Sequence, residues 1–260
     1  MRPRQGARHF ALRRFEPGPP VARNVENYWA VRWDLPGRLA YRQEIIPHPC
    51  VNVTVESGSP GEVRHGFAMP AALLHGLPTR RFAVDLIGTG RVLGVRFRPG
   101  GFAALTGHSA GVLRDRVVPL GQVFGGAAET LASEVLAEEA DERRVELTEA
   151  FLCEHLPDSA PGYDLVLALV TEMLEDRSLV RVGQLTRRHG VSERTLQRLF
   201  RHYVGASRAP RPSGCSRATG CTMPQRGWSA NPESPLLPWP RPPAISTRRT
   251  SATNSERSLT

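Results

Sequence analysis

VGQLTRRHGVSERTLQRLFRHYVG, residues 182–205, reads as two short helices around a tight turn, with arginines crowding the second. Leu185 opens the first apolar stripe, Gly190 supplies the backbone freedom of the turn, and Val191 plugs the corner. Ser192 is a good N-cap, because its hydroxyl can accept from an orphan backbone N–H. Leu196, Leu199 and Phe200 fall at helical spacing and can face inward together. Glu193, Arg194, Thr195, Gln197, Arg198 and Arg201 are left on the outer face. Such a face suits a DNA major groove: Arg reads guanine bidentately, Gln reads adenine, and further Arg neutralise phosphates. Arg194, Thr195, Gln197 and Arg198 are the candidates for base edges. Arg187, Arg188 and Arg201 are better placed for phosphates, with Ser192 at the start of the helix. An αα-hairpin with a Gly turn and a solvated charged face has the same spacing, so spacing alone leaves both readings open.

The wording of the run narrows the choice. V-S-E-R-T-L-Q-R-L-F-R-x-x-V-G, Val191 to Gly205, resembles the first helix-turn-helix of AraC/XylS-type transcription regulators. The matching positions are Gly190, Val191, Ser192, Arg194, Leu196, Arg198, Phe200 and Gly205. One departure lies inside the motif: Leu185-Thr186 stands where the family has Leu-Ala, which puts a larger, polar side chain where the two helices approach. The resemblance implies a sequence-specific DNA-binding regulator whose partner is double-stranded DNA.

Composition adds less than it first suggests. The chain has 260 residues and a formal charge of +9, with Arg as its only cation besides His. Residues 209–260 hold seven Arg and two acidic residues, a net of +5, leaving +4 for residues 1–208. The excess charge therefore sits mostly in the tail and does not argue for DNA binding. Cys50, Cys153, Cys215 and Cys221 show no ligand-like spacing, so reduced thiols in a cytoplasmic protein are expected rather than a zinc site or disulfides. No apolar run approaches a membrane span. The basic stretch MRPRQGARHFALRRFEPGPP at residues 1–20 lacks the apolar centre of a signal peptide and reads as a disordered arm.

Residues 20–100 are β-rich. VNVTVE (Val51 to Glu56) alternates strictly, NYWAVRWDL (Asn27 to Leu35) alternates in part, and FAVDLIG and VLGVRFRPGG add two strands. Trp29, Trp33, Phe82 and Phe97 are expected in the core, and Pro47 to Cys50 as a turn. The segments Tyr28–Pro36, Pro47–Val53 and Gly94–Gly101 resemble the β-rich N-terminal domain found on a subset of these regulators, which implies a sensing domain for an effector of unknown identity. His48, His65 and His75 show no metal-type clustering in the sequence and read as surface or turn residues, so no metal and no cofactor is expected. Arg96 and Arg98 flank Phe97, so both can point into a cleft and bind an anion; two solvated side chains are the plainer reading. G-H-S-A-G, Gly107 to Gly111, matches a nucleophile-elbow pattern at Ser109, but the preceding FAALTG is no buried β-strand, so a helix-ending turn is expected.

From about Gly111 the chain turns helical, with two helices broken near Ala140–Asp141 and a third over 161–177, its face carrying Leu165, Leu169, Met173 and Leu174. After Ser207 the character changes: nine prolines and no periodicity mark a disordered tail. Family members continue instead with a linker helix and a second helix-turn-helix. Read from the third base of each codon, Trp239-Pro240 and Met223-Pro224 must each give alanine. In that frame SRATGCTMP can read K-G-Y-R-M-H-D-A, and LLPWPRPPAISTRRTSATNS can read A-A-L-A-A-A-A-G-H-F-D-Q-A-H-F-R-H-E-F. These resemble the linker helix and the second helix-turn-helix in order, pointing to a frameshift near Ser207–Arg208 rather than a genuine low-complexity tail.

The expected architecture is thus α+β: a β-rich N-terminal regulatory domain (1–106), a helical connector (107–160) that is a candidate homodimer surface, the first helix-turn-helix (161–207) and an out-of-frame tail (208–260). No catalytic residue is expected. The lead reading is a DNA-binding regulator impaired by loss of its second helix-turn-helix. A ligand-binding or dimerising module with little residual DNA binding is the alternative. An enzyme built on Ser109, Arg96, Arg98 and scattered His is a weaker third.

Overall fold

The computed structural model describes residues 10–37, 39–45, 48, 50–176 and 182–205. The expected tail, its frameshift, residues 1–9 of the basic arm and Pro47 and Pro49 of the turn at 47–50 lie outside the described residues. The protein is α+β, with a β-rich N-terminal region followed by helices.

Ten strands are described: β1 (Phe10–Phe15), β2 (Val25–Asp34), β3 (Ala40–Ile45), β4 (Asn52–Ser57), β5 (Val63–Arg64), β6 (Phe67–Ala68), β7 (Ala71–His75), β8 (Phe82–Ile87), β9 (Thr89–Phe97) and β10 (Val117–Pro119). Six of them form one antiparallel sheet in the order β1-β2-β9-β4-β7-β10. β3 pairs with β8, and β5 with β6, as separate two-stranded ribbons. The four strands expected from alternation are present as β2, β4, β8 and β9.

Period-two alternation divides the sheet into two faces. Tyr28, Ala30, Val53, Val55, Leu74, Leu93, Val95 and Phe97 point to one face and are buried in the main core. Trp29, Trp33, Asn52, Thr54, Glu56, His75, Val92 and Arg96 belong to the other face, which looks toward the β3–β8 ribbon. The described helices share one core with the first face. These are α1 (Gly101–Thr106), α2 (Gly121–Phe124), α3 (Gly126–Ala137), α4 (Asp141–Glu154), α5 (Tyr163–Glu175), α6 (Val182–His189) and α7 (Glu193–Leu199). α3 rests on β4 and β7, and α4 touches β9. Leu131, Val135, Phe151, Leu152, Val166 and Leu169 join the sheet residues in one continuous core.

Three expectations need correction. Residues 10–15 of the expected disordered arm form β1, paired along its length with β2 from Phe10↔Trp33 to Phe15↔Tyr28. An edge strand exposed over most of its residues needs no apolar alternation, so its sequence carries no strand pattern. The helical region is interrupted by β10, which adds the sixth strand beside β7. Leu174 does not share the buried face of α5: Val166, Leu169, Val170 and Met173 are buried, whereas Leu174 is 70% exposed. It lies in the last turn of α5, at the edge of the stripe where the buried face ends.

The hairpin of α6 and α7 docks as its spacing predicts. Leu185, Leu196, Leu199 and Phe200 are buried, Val191 packs partly against them, and Gly190 takes a left-handed φ of +63°. The Ser192 hydroxyl accepts from the Thr195 amide at 3.1 Å, the capping arrangement its type favours. Beyond α7 the chain continues as a π-helical turn, Phe200–Val204. Buried Arg144, which sequence reasoning passed over, donates to the Asp141 carboxylate at 3.1 Å and to the Val135 carbonyl at 3.2 Å.

Candidate functional site

A cavity of about 260 Å³ lies between the helix-free face of the large sheet and the β3–β8 ribbon. Its walls are mostly apolar and aromatic: Trp29, Trp33, Phe82, Val84 and Leu86 line it, with Phe10 from β1. Two glycines make room for the indoles. Trp29 pairs directly with Gly94 and Trp33 with Gly90 across β2 and β9. A Cβ on Gly94 would lie 2.6 Å from the Trp29 Nε1, and one on Gly90 would lie 2.7 Å from the Trp33 Cε2. Each ring therefore lies flat over backbone where any side chain would lift it. Trp33 is further fixed by donating from its Nε1 to the Ile87 carbonyl at 3.0 Å. Of the four aromatics expected in the core, Phe97 and Trp33 are buried, while Trp29 and Phe82 are partly exposed walls of this cavity.

The polar end of the cavity is built from three segments remote in sequence. β4 carries Thr54 and Glu56, β7 ends at His75, and the turn between β5 and β6 presents His65. That turn has two residues, both with positive φ: His65 at +54° and Gly66 at +84°. Such turns favour Asn-Gly because bulky residues resist the left-handed region, so His65 occupies a strained position that aims its ring at the cavity. The His65 and His75 rings meet edge-on, 4.7 Å between centroids. Glu56 Oε1 accepts from the Thr54 hydroxyl at 2.6 Å and lies 3.4 Å from His75 Nε2 and 3.8 Å from His65 Nε2. The Thr54 hydroxyl is 2.9 Å from His75 Nε2.

Behind Glu56 sits Arg64, almost wholly buried. Its Nη1 donates to Glu56 Oε2 at 2.8 Å, its Nε lies 2.9 Å from Glu62 Oε1, and its Nη2 donates to the Ser57 carbonyl. The guanidinium also stacks over Trp33, 5.0 Å from the ring centroid. Burial pushes the Glu56 carboxyl up, but the hydrogen bond with His75 and the nearby His65 and Arg64 outweigh it and hold it at about 2. Burial, with the adjoining His75, holds the His65 imidazole down to about 4.

The histidines are therefore not all surface or turn residues. His65 and His75 meet at Glu56, and only folding brings them there; His48 is exposed. His48 Nδ1 lies 3.0 Å from Cys50 Sγ, and burial pushes that thiol up to about 12. Arg96 and Arg98 part company: Arg96 lines the cavity, whereas Arg98 donates from its Nε to the Ala22 carbonyl at 2.8 Å. The strand ends at Phe97, so the alternation that would have aligned the two arginines does not reach Arg98. Ser109 follows the left-handed Gly107 that closes α1, and its hydroxyl donates to the Arg201 carbonyl at 3.3 Å. A helix-ending turn is what the sequence led us to expect there.

The second surface is the outer face of α6 and α7. Arg187, Ser192, Arg194, Gln197, Arg198 and Arg201 are exposed, and Thr195 is partly so. Gln197 donates to Glu193 Oε1 at 3.1 Å. Arg188 differs from its neighbours. It pairs with Glu172 of α5 and with Asp176 just beyond its end, while His189 Nε2 lies 2.6 Å from Glu172. Its cation ties the hairpin to α5. Glu172 is held below the usual carboxylate range by His189 and Arg188.

Comparison with curated proteins and with solved structures gives no match. Residues 13–119, the span of nearly the whole sheet, match the model of a family described as "Domain of unknown function (DUF6597)", an N-terminal domain of AraC-like regulators.

Proposed function

We propose that this chain is a sequence-specific DNA-binding transcription regulator of the AraC/XylS type, acting in the cytoplasm, with its cavity as the seat of a small-molecule effector. The observation that carries the reading is the division of α7. Leu196, Leu199 and Phe200 are buried on one side, and Arg194, Gln197, Arg198 and Arg201 stand free of the core on the other. A Ser-capped helix of that kind can place its outer face in a major groove, with Arg and Gln toward base edges. Arg187 and Arg201 take the phosphates. Residues 208–260 read as out of frame, so this chain carries one reading unit where the family it resembles carries two. Its binding is accordingly weak and dominated by counterion release.

The test is fluorescence anisotropy of the full chain on a double-stranded operator candidate from its own upstream region, across a salt series. Arg198→Ala should lose about 1–3 kcal/mol of discrimination between cognate and scrambled duplex. No preference for any duplex, in this chain and in one restored to the alternative frame, would overturn the reading.

The cavity itself favours a second reading, a ligand-binding module with little residual DNA binding. A partly open, aromatic-lined cleft with a few placed polar groups is a usual form of a small-molecule site. Ligand-induced thermal shifts without any duplex preference would select it.

A further inference from the structure

We infer that Glu56, His65 and His75 form a binding site for a divalent transition-metal ion of the zinc class, at the polar end of the cavity. This inference concerns the cavity alone and goes beyond the DNA-binding reading.

Three features support it. The first is donor geometry. One ligand atom from each residue lies within 4.8 Å of the others, and the carboxylate oxygen is 3.4 and 3.8 Å from the two Nε2 atoms. Ligands bound to zinc at about 2.0–2.2 Å in a tetrahedron stand about 3.4 Å apart, so an ion fits with little rearrangement. Two imidazoles and one carboxylate leave a fourth position, which opens into the cavity toward a ligand.

The second is support behind the donors. Arg64 holds Glu56 through Oε2, the oxygen turned away from the histidines, and the Thr54 hydroxyl orients Oε1. Fixing a ligating carboxylate from behind is the usual task of residues around a metal site. The third is charge. Two buried carboxylates, Glu56 and Glu62, face one buried guanidinium, Arg64, which leaves one negative charge without a fixed cation in the cluster. A bound cation compensates it.

His65 makes the sharpest test. A purely structural turn would take Asn before Gly66, since Asn suits positive φ better than His. The sequence instead carries a strained residue whose ring reaches the other two donors.

The full chain, treated with a chelator that is then removed, is titrated with Co²⁺ and afterwards with Zn²⁺. We expect a single ion with visible d–d absorption, displaced by Zn²⁺ and lacking a thiolate charge-transfer band. Glu56→Gln and His75→Ala should each weaken binding roughly tenfold or more. His65→Asn should keep or raise the thermal midpoint of the metal-free protein while losing metal affinity to the same degree. Unchanged affinity in His65→Asn, or no binding by the parent chain, overturns the site. A thiolate band, or loss of the ion in His48→Ala, places the metal at the cluster of Glu26, His48 and Cys50 and overturns it too.

Discussion

Leu77 lies directly against Gly205, joining the segment that follows His75 to the end of the α6–α7 hairpin. A Cβ on Gly205 would collide with Leu77 Cδ1 and sit 3.0 Å from the Gly111 nitrogen. Arg114 donates to the Gly205 carbonyl, and Tyr203 donates to the Pro161 carbonyl at 2.8 Å. The cavity lining and the α6–α7 hairpin thus meet through Leu77, which lies between Gly76 and Pro78 of that lining. Gly205 also has φ +68°, where a side chain is strained. Gly205→Ala should cost more than about 1 kcal/mol in urea unfolding. Limited proteolysis should then cut residues 182–205 before it cuts the sheet. A variant as resistant as the parent would show that the hairpin is docked elsewhere.

Leu196→Ala removes a side chain that is 1% exposed, at the point where α7 meets the core. Its cost should be about 2–5 kcal/mol, depending on how far the neighbours collapse into the gap. Denaturant unfolding at fixed protein concentration measures it. A loss within about 0.5 kcal/mol, the scale of surface changes, would contradict the packing.

Asp141 sets an acid limit on stability. Burial pushes its carboxyl up, but hydrogen bonds from Arg32 and Arg144 outweigh this and hold it below the ordinary range. A carboxyl depressed in the folded state contributes stability above its unfolded value, near 4, as about 3.9 is usual for Asp. That contribution is lost as pH falls through the lower folded value. Asp141→Asn should therefore destabilise the protein at neutral pH and flatten its stability profile below about pH 4. At neutral pH the cost should reach about 3–5 kcal/mol, because Arg144, 0% exposed, loses its charge partner. Thermal unfolding at neutral and acid pH separates the two effects.

Arg188→Ala and Arg198→Ala should behave differently. Arg188 is engaged with Glu172 and Asp176, so its loss should loosen the hairpin on α5 slightly, as for an exposed pair. Arg198→Ala should leave the melting temperature almost unchanged and lower duplex discrimination. Paired melting and anisotropy measurements on both variants decide the matter; a reversed pattern would exchange their roles.

Gly94→Ala should displace the Trp29 indole. The added methyl has no free space and should cost about 1–3 kcal/mol through overpacking. Moving an indole in the cavity wall should also shift the intrinsic fluorescence, which an unaltered emission spectrum would refute.

The hairpin at 182–205 was legible in the sequence because everything that specifies it is local. A left-handed Gly, a capping Ser and apolar residues at helical spacing all act within a few residues of one another. The strands β2, β4, β8 and β9 were legible for the same reason, through their alternation. The site at Glu56, His65 and His75 was not, because its donors lie on separate segments joined by strand pairing. The register that sets Asn52 opposite His75 places His75 beside Thr54 and Glu56, and the β5–β6 turn swings His65 to meet them. Neither relation leaves a mark in the spacing of the residues. The edge strand β1 and the late strand β10 were likewise decided by the partners they pair with. Composition and periodicity report what a segment prefers; which side chains meet across a sheet is settled by register, and register exists only once the chain has folded.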